Sequence, residues 1–420
     1  MRTFANLFLF FFVTDGLLST LDDLLGLTFN IEVLSPLRNL NALATLALAV
    51  PLLFALGFDR RLPKRVFLPL CAFLLWSSAG CWPLLGLLAT QHLLLLASLL
   101  QLLLGGLTLA YLRRRSGTSV QLTVEDFHGP AFSLRHTLGY FAALLLALPL
   151  LIGYVTLGTL SLQLDTQTAG FMRVSPLGLY MKERTYRHQD KQVRLTGMMH
   201  IGEQRYFSSL AQSLGKSRAI VLAEGVSDRQ GLLTSGFDYE ALGSVLGLTT
   251  QKEMAFDARK VDLTQLDELE WDEAELKPDI AMVDVDLSSF TPLTVEFLNV
   301  LGRLISSSGS FTENYALYNA WIEEHMSADF YDTLMGDILD KRNENLIGHL
   351  NRALQRYDSV VIPWGAMHMP ALETALLAQG FHQVAEREHL SLDFRNLPYR
   401  ELLSRLETLN LPPSPATVAE

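Results

Sequence analysis

The chain has almost no cysteine: Cys71 and Cys81 are the only two among 420 residues, and both lie inside one apolar run. Everything beyond them is therefore without a disulfide, a thiol nucleophile or a thiolate metal site, and must be held by a hydrophobic core. Charge is scarce as well, at 18% of residues against 49% hydrophobic, a balance too apolar for an ordinary soluble protein. Basic residues are especially few in the second part. Residues 1 to 162 hold ten Lys and Arg against seven Asp and Glu, whereas the remainder holds 23 against 37 and carries −14. That sign argues against a nucleic-acid partner, because phosphate backbones bind positive surfaces. Three motifs are also missing: a Gly-rich phosphate loop, a Gly-x-Ser-x-Gly nucleophile elbow and a His-Glu-x-x-His helix. Their absence disfavours NTPases, α/β-hydrolases and thermolysin-like proteases.

What is present changes character near Gln163. Before it, four stretches reach the ~20 mainly apolar residues that a bilayer-spanning helix needs: 39 to 57, 66 to 88, 91 to 112 and 138 to 160. A fifth, 3 to 20, is interrupted by Asp15; it reads as a retained helix, since it lacks a small-residue cleavage site and further spans follow. The basic loops "DRRLPKR" (59 to 65) and "RRR" (113 to 115) are two spans apart and read as cytoplasmic. The part beyond residue 162 is then expected outside the cytoplasm, tethered by a multi-pass bundle in the cell or inner membrane.

That second part reads as alternating strands and helices after a short linker. "KQVRLTGMMH" has strand character, "EQRYFSSLAQSLGK" has helical spacing ending at Gly215, and "RAIVLAEGV" (218 to 226) is an apolar run of buried-strand length. Right-handed crossover would bring the first and last of these parallel and close together. "DIAMVDVDL" (279 to 287) is a further strand, 291 to 340 is mostly helical, and a helix over 343 to 356 precedes a strand at 358 to 364. The expected architecture is an α-helical transmembrane bundle of about five helices over 1 to 162. An α/β domain with a mixed or mostly parallel central sheet follows over 163 to 405, then a Pro-rich disordered tail over 406 to 420.

Two corners stand out, "TGMMH" at 196 to 200 and "WGAMH" at 364 to 368. Chance alone gives about 0.7 Gly-x-x-His matches in a chain of this composition, so the count says little. Their context says more, because each ends a strand and opens a helix, where ligands of α/β sheets bind. His200 and His368 with Glu224 would make a site for a divalent ion of intermediate softness; helix capping or core hydrogen bonding is the plainer alternative for each histidine. Glu224 ends an apolar run, so its carboxylate needs a cation, a metal or a donor, and a salt bridge to Arg342 is the plainer alternative. Arg342 and Asn343 open a helix, where Asn343 could cap and Arg342 could point into the cleft to neutralise developing negative charge. Asp284 and Asp286 alternate on one strand face. For Tyr206 core packing is the first expectation and for Asp262 a structural role.

The ordered set "TGMMHIGEQRYFSSL", "VLAEGV", "KRNENLIGHL" and "VVIPWGAMHMPAL" resembles the TraB/PrgY/Tiki family, itself similar to the erythromycin-esterase/ChaN-like superfamily, over about residues 190 to 385. The resemblance implies one site holding both Gly-x-x-His motifs, a Glu after the first and an Arg/Asn before the second. In the Tiki branch this is a membrane-tethered metalloprotease dependent on Mn²⁺ or Co²⁺ and acting outside the cell. Carried onto this chain, it implies His200, Glu224 and His368 as metal ligands for Mn²⁺ or Co²⁺, with Zn²⁺ as the alternative. Glu224 would be a ligand or the general base, and Arg342 or Asn343 would assist. Met198 stands where the family commonly has Thr, and Pro370-Ala371 follows the second His where a Gly is often seen. The function so implied is a membrane-anchored, metal-dependent hydrolase of peptides or proteins on the outer face. A non-catalytic module sequestering a peptide or haem is the alternative.

Overall fold

Apolar runs in a low-dielectric setting must satisfy their own backbone groups, and helices do so within one segment. In the computed structural model, which describes residues 1–31, 33–214, 219–234, 248–250, 257–264, 277–305 and 311–400, the chain divides at Asp165 and Thr166 into two units. The first consists of α1 (Arg2–Phe29), α2 (Ser35–Phe58), α3 (Lys64–Ser78), α4 (Thr90–Ser116) and α5 (Leu134–Gln167). Four of these, α1, α2, α4 and α5, are long and apolar enough to cross a membrane. α5 leaves its leucines outward, with Leu146 80% and Leu150 77% exposed, the surface that acyl chains cover.

Two sequence expectations change here. The stretch 66 to 88 is not one span: α3 has 15 residues, about 22 Å at 1.5 Å per residue, and the chain beyond it turns through left-handed positions at Gly80, Cys81 and Gly86. Conversely, Asp15 does not interrupt the first segment. Amide donors from two neighbouring helices, Asn41 Nδ2 at 3.3 Å and Gln101 Nε2 at 2.9 Å, meet its carboxylate in the bundle interior. The same amides reach the carbonyls of Phe11 and Phe12, so one polar knot ties α1 to α2 and α4. The basic residues gather at one end of this unit. Arg60 N bonds Ala131 O, Arg61 reaches Phe127 O, Arg115 pairs with Asp126, and Asn6 brackets Leu122. Arg38 lies at the opposite end, on Asp22 and Asp23.

The second unit is built on an eight-stranded mixed sheet. Its strands are β1 (Met172–Ser175), β2 (Gly178–His188), β3 (Lys191–Met198), β5 (Ile220–Ala223), β7 (Arg259–Lys260), β8 (Asp279–Met282), β9 (Ser359–Gly365) and β10 (His382–Asp393). β4 (Ile201–Gly202) and β6 (Thr249–Thr250) form a separate pair. In the main sheet the order is β1-β2-β3-β9-β5-β8-β7, with β10 along β2. β3, β9, β5, β8 and β7 run parallel, whereas β2 pairs antiparallel with β1, β3 and β10. The short linker expected before β3 is therefore a hairpin. Its alternation is masked in the sequence by Arg184, Lys182 and Glu183, which are buried or nearly so against partners on β10 and β3.

β3 and β5 are parallel as expected but not adjacent, because β9 returns from the far end of the chain and inserts between them. That insertion brings the two Gly-x-x-His corners side by side: Gly197 is level with Trp364, and Met198 with Gly365. Helices α6 (Gln204–Leu214), α7 (Pro292–Ile305), α8 (Phe311–His325), α9 (Ala328–Met335), α10 (Lys341–Arg356) and α11 (Met369–Ala378) complete the described elements. Gly215 and the tail over 406 to 420 fall outside the described residues. On one face of the sheet Leu195, Leu222, Val360 and Ile362 pack with Leu346 and Leu350 of α10 and Leu372 and Leu376 of α11, and on the other Val221 and Val361 form a smaller apolar cluster with Ala219. A second cluster, Trp321, Phe330 and Leu334, holds α7 to α9 together with Leu293 and Phe297.

Candidate active site

Parallel strands end in a row, and the residues at or just past their ends form the site. Glu224 follows β5, Asp284 lies two residues past β8, and Gly365 closes β9 before a 3-10 turn over Ala366–His368. Opposite them, α10 continues from a π-helical turn over Gly336–Asp340, so its first residues are already helical. Asn343 is thus not the helix cap that the sequence suggested. It points into the sheet ends, and its Oδ1 accepts from His368 Nδ1 at 2.8 Å.

Arg342 lies one residue earlier and binds two carboxylates. Its Nη2 donates to Glu224 Oε1 at 2.7 Å and to Asp284 Oδ2 at 2.7 Å, while Nε donates to Asp284 Oδ1 at 2.9 Å. The other Glu224 oxygen accepts the Gly365 N–H at 2.8 Å, and Gly225 N–H donates to Asp284 Oδ2. The buried carboxylate of Glu224 therefore has both a cation and a backbone donor, and the salt bridge to Arg342 is present. Burial works against the Arg342 charge, but Asp284 and Glu224 more than offset it and hold the guanidinium above its ordinary pKa. Bidentate pairing of this kind fixes geometry as well as charge.

His368 is 3% exposed. Burial first, and the Arg342 charge second, push its pKa down to about 4, so it is neutral near pH 7. With Nδ1–H donated to Asn343, the Nε2 lone pair is turned toward Glu224, 3.7 Å from Oε1. A partner on one ring nitrogen that selects the tautomer of the other is the usual way to aim a histidine. Beneath this group lies Trp364, fully buried, with its indole N–H on Leu222 O at 2.9 Å. Its ring meets His368 edge-on at 5.1 Å and carries the Arg342 guanidinium at 5.2 Å. Trp364 was not singled out in the sequence; the only signal was a large aromatic at the end of the expected strand, immediately before Gly365.

His200 stands apart. It is exposed, two residues past β3, and lines a cleft of about 700 Å³ with Glu224 and Arg342. Both motif glycines do other work than ligand approach. A Cβ at Gly197 would come within 3.2 Å of Phe171, and Gly365 supplies the N–H that Glu224 accepts. The remaining residues weighed in the sequence separate cleanly. Asp284 is the second carboxylate of Arg342, whereas Asp286 faces away from it to accept from Ser227, Arg229 and Ser288. Tyr206 is core, and Asp262 accepts from Thr264 within its own turn.

The expected metal ligands do not form a coordination group in this arrangement. Among the described residues, no three His, Cys, Asp or Glu side chains are disposed to hold a metal ion, and the Glu224 oxygen that faces His368 also accepts from Arg342. A guanidinium on the same oxygen repels a cation there. What the arrangement provides instead is an oriented carboxylate and a fixed positive charge on the wall of one cleft, with a neutral, aimed imidazole enclosed beside the carboxylate. No family model, curated protein or solved structure matches the chain.

Proposed function

We propose that the second unit is a hydrolase of peptide bonds, held at a membrane by the first. The observation that carries this reading is the convergence of Glu224 and Arg342, which line the cleft, with the enclosed Asn343–His368 pair beside Glu224 at the carboxyl ends of parallel strands. Perturbed titratable groups gathered in a cleft are the usual mark of catalysis. In this mechanism His368 Nε2 takes a proton from a water molecule as its oxygen attacks the carbonyl carbon. The imidazolium so formed faces the Glu224 carboxylate, and Asn343 keeps the ring from rotating. Arg342 opposes the negative charge that grows on the carbonyl oxygen. The proton then passes from Nε2 to the departing amine as the carbon–nitrogen bond breaks.

The Mn²⁺ or Co²⁺ ion implied by the family resemblance enters through the test rather than the mechanism. The experiment uses the full chain in lipid nanodiscs with an internally quenched peptide library, with and without Mn²⁺, Co²⁺ and Zn²⁺, beside Glu224→Gln. Cleavage that is lost in the variant supports the reading; equal cleavage by the variant would sink it. Calorimetry with each ion decides whether a site exists that both His200→Ala and His368→Ala remove. The gathering of Arg2, Arg60, Arg61 and Arg113 to Arg115 at one end of the helical unit supports a cytoplasmic position for that end and an outer-face position for the hydrolase; on this reading protease added to intact cells removes the second unit.

A non-catalytic reading keeps one observation of its own. Glu224 is already satisfied by Arg342 and Gly365, as in a site that captures a ligand without turning it over. Recovery of intact peptide in stoichiometric amount would select it.

A further inference from the structure

Beyond its polar corner, the cleft is walled by aliphatic groups. Leu233 comes from the loop after β5, Leu287 and Phe290 from the turn after β8, Leu298 and Leu301 from α7, and Ile338 from the π-helical turn. Leu298 and Leu301 are three apart on a helix and so share a face. Leu287 and Phe290 are buried, at 1% and 8% exposure, and give the wall a fixed floor. None of these residues belongs to the polar network, and the family resemblance says nothing of them.

We infer that this wall is a specificity subsite for an uncharged aliphatic or aromatic side chain of a peptide, next to the bond presented at Glu224 and His368. The inference rests on the hydrolase reading for the position of that bond. Three observations select the ligand class. Charge comes first: among the described residues one guanidinium, Arg342, lines the cleft with the carboxylates of Glu224 and Asp228, and Glu224 and the enclosed Asp284 already bind it. An anionic group, whether phosphate or carboxylate, would enter against an excess of negative charge. The second is the lining. Among the described residues Phe290 is the single aromatic ring in it and is buried among its neighbours, so they offer no flat aromatic platform to a sugar or a nucleobase. The third separates a peptide from a fatty acyl chain. His200, Asp228 and Thr250 run beside the aliphatic wall, and β6, which carries Thr250, is paired with β4 by backbone hydrogen bonds. A flank of mixed polarity suits a chain whose polar amides alternate with apolar side chains, whereas an acyl chain would strip water from the exposed Asp228 carboxylate and return no hydrogen bond. A cleft of about 700 Å³ has room for more than one residue.

The test uses the full chain in nanodiscs and one set of internally quenched hexapeptides of Gly and Ser in which a single central position is Leu, Phe, Ala, Asp or Lys. Wild type should cleave the Leu and Phe peptides with kcat/KM about tenfold or more above Ala, the range one apolar pocket supplies, and Asp should fall lowest. Leu298→Asp and Leu301→Trp, one placing a charge in the wall and the other filling it, should reduce that preference to near unity while Ala cleavage persists. Fluorescence anisotropy of the same peptides on Glu224→Gln gives a second readout without turnover, and the same order is expected there. Cleavage without preference overturns the subsite and leaves the hydrolase standing. Ordered binding without any wild-type cleavage upholds the subsite and removes the hydrolase. Absence of both binding and cleavage overturns the subsite, as does turnover of p-nitrophenyl decanoate in preference to every peptide, which would assign the wall to an acyl chain.

Discussion

The two Gly-x-x-His corners are alike in sequence and adjacent in the sheet, yet they end in different surroundings. His368 is almost fully enclosed, held by Asn343 and stacked edge-on against Trp364. His200 is exposed on the cleft wall. The difference arises after the strands, not within them. β9 passes directly through a 3-10 turn into α11, so His368 is drawn under α10. β3 instead leaves into β4, a two-residue strand that pairs away from the main sheet with β6. A shared motif therefore carries a shared position but not a shared role: one imidazole is aimed by its neighbours, and the other is presented to whatever enters.

The largest expected effect that would separate them is on turnover. His368→Ala should lower kcat by about 10²-fold or more, as expected for loss of a general base, and should also cost about 1–3 kcal/mol of stability by leaving the Asn343 amide unpaired. Equal kcat in the variant would remove His368 from the mechanism. Next comes Asn343→Leu, which deletes the acceptor that selects the His368 tautomer. Here kcat should fall with little change in KM, and Asn343→Asp should restore part of it, since a carboxylate accepts the same hydrogen bond. If neither variant moves kcat, Asn343 is only a packing residue.

A smaller effect is expected at the other corner. His200→Ala should leave the thermal unfolding midpoint within the equivalent of ~0.5 kcal/mol, as for surface substitutions, while KM for peptides rises. A midpoint that falls as far as in His368→Ala would mean the corners are structurally equivalent, against the contrast drawn above. The smallest effect is a control outside both corners. Burial works against ionisation of Asp337, but the Lys341 ammonium and the Thr291 and Thr294 donors outweigh it and hold its carboxyl below the ordinary 3.8. Because the folded value is depressed, its contribution to stability is present above 3.8 and is lost as pH falls through the folded value. Unfolding midpoints of Asp337→Asn and wild type should accordingly differ at neutral pH and converge in acid, with both corners unaffected.

Much of the candidate site was legible from residue types alone. Glu224 interrupts an apolar run, and that was enough to require a partner; Arg342 was one of the partners foreseen, and it is the one present. Gly197-His200 and Gly365-His368 were legible because each closes a strand of recognisable length. Legibility failed where a pattern depended on distant neighbours. β2 carries Lys182, Glu183 and Arg184 in the sheet interior, which no period-two rule admits, and Glu386 and Glu388, the partners of Lys182 and Arg184, lie some two hundred residues away. The stretch 66 to 88 has the apolar length of a span but not the helix, because turn-forming glycines beyond α3 override hydropathy. Asp15 misled in the other direction, since amides on two other helices make it tolerable in an apolar bundle.

Composition and periodicity by themselves determined that this chain is an apolar helical half joined to an acidic α/β half, since helix length and strand alternation are local properties of the backbone. They determined as well that chemistry in the second half must come from His, Glu, Asp and Arg, because no cysteine is there. Only the tertiary structure decided which of those residues meet. Inserting β9 between β3 and β5 sets the corners side by side, and α10 then brings Arg342 and Asn343 over the strand ends. The contacts of Glu224 with Arg342 and with Gly365 join residues more than a hundred positions apart. Spacing along the chain does not encode them; the burial of one sheet between its helices does.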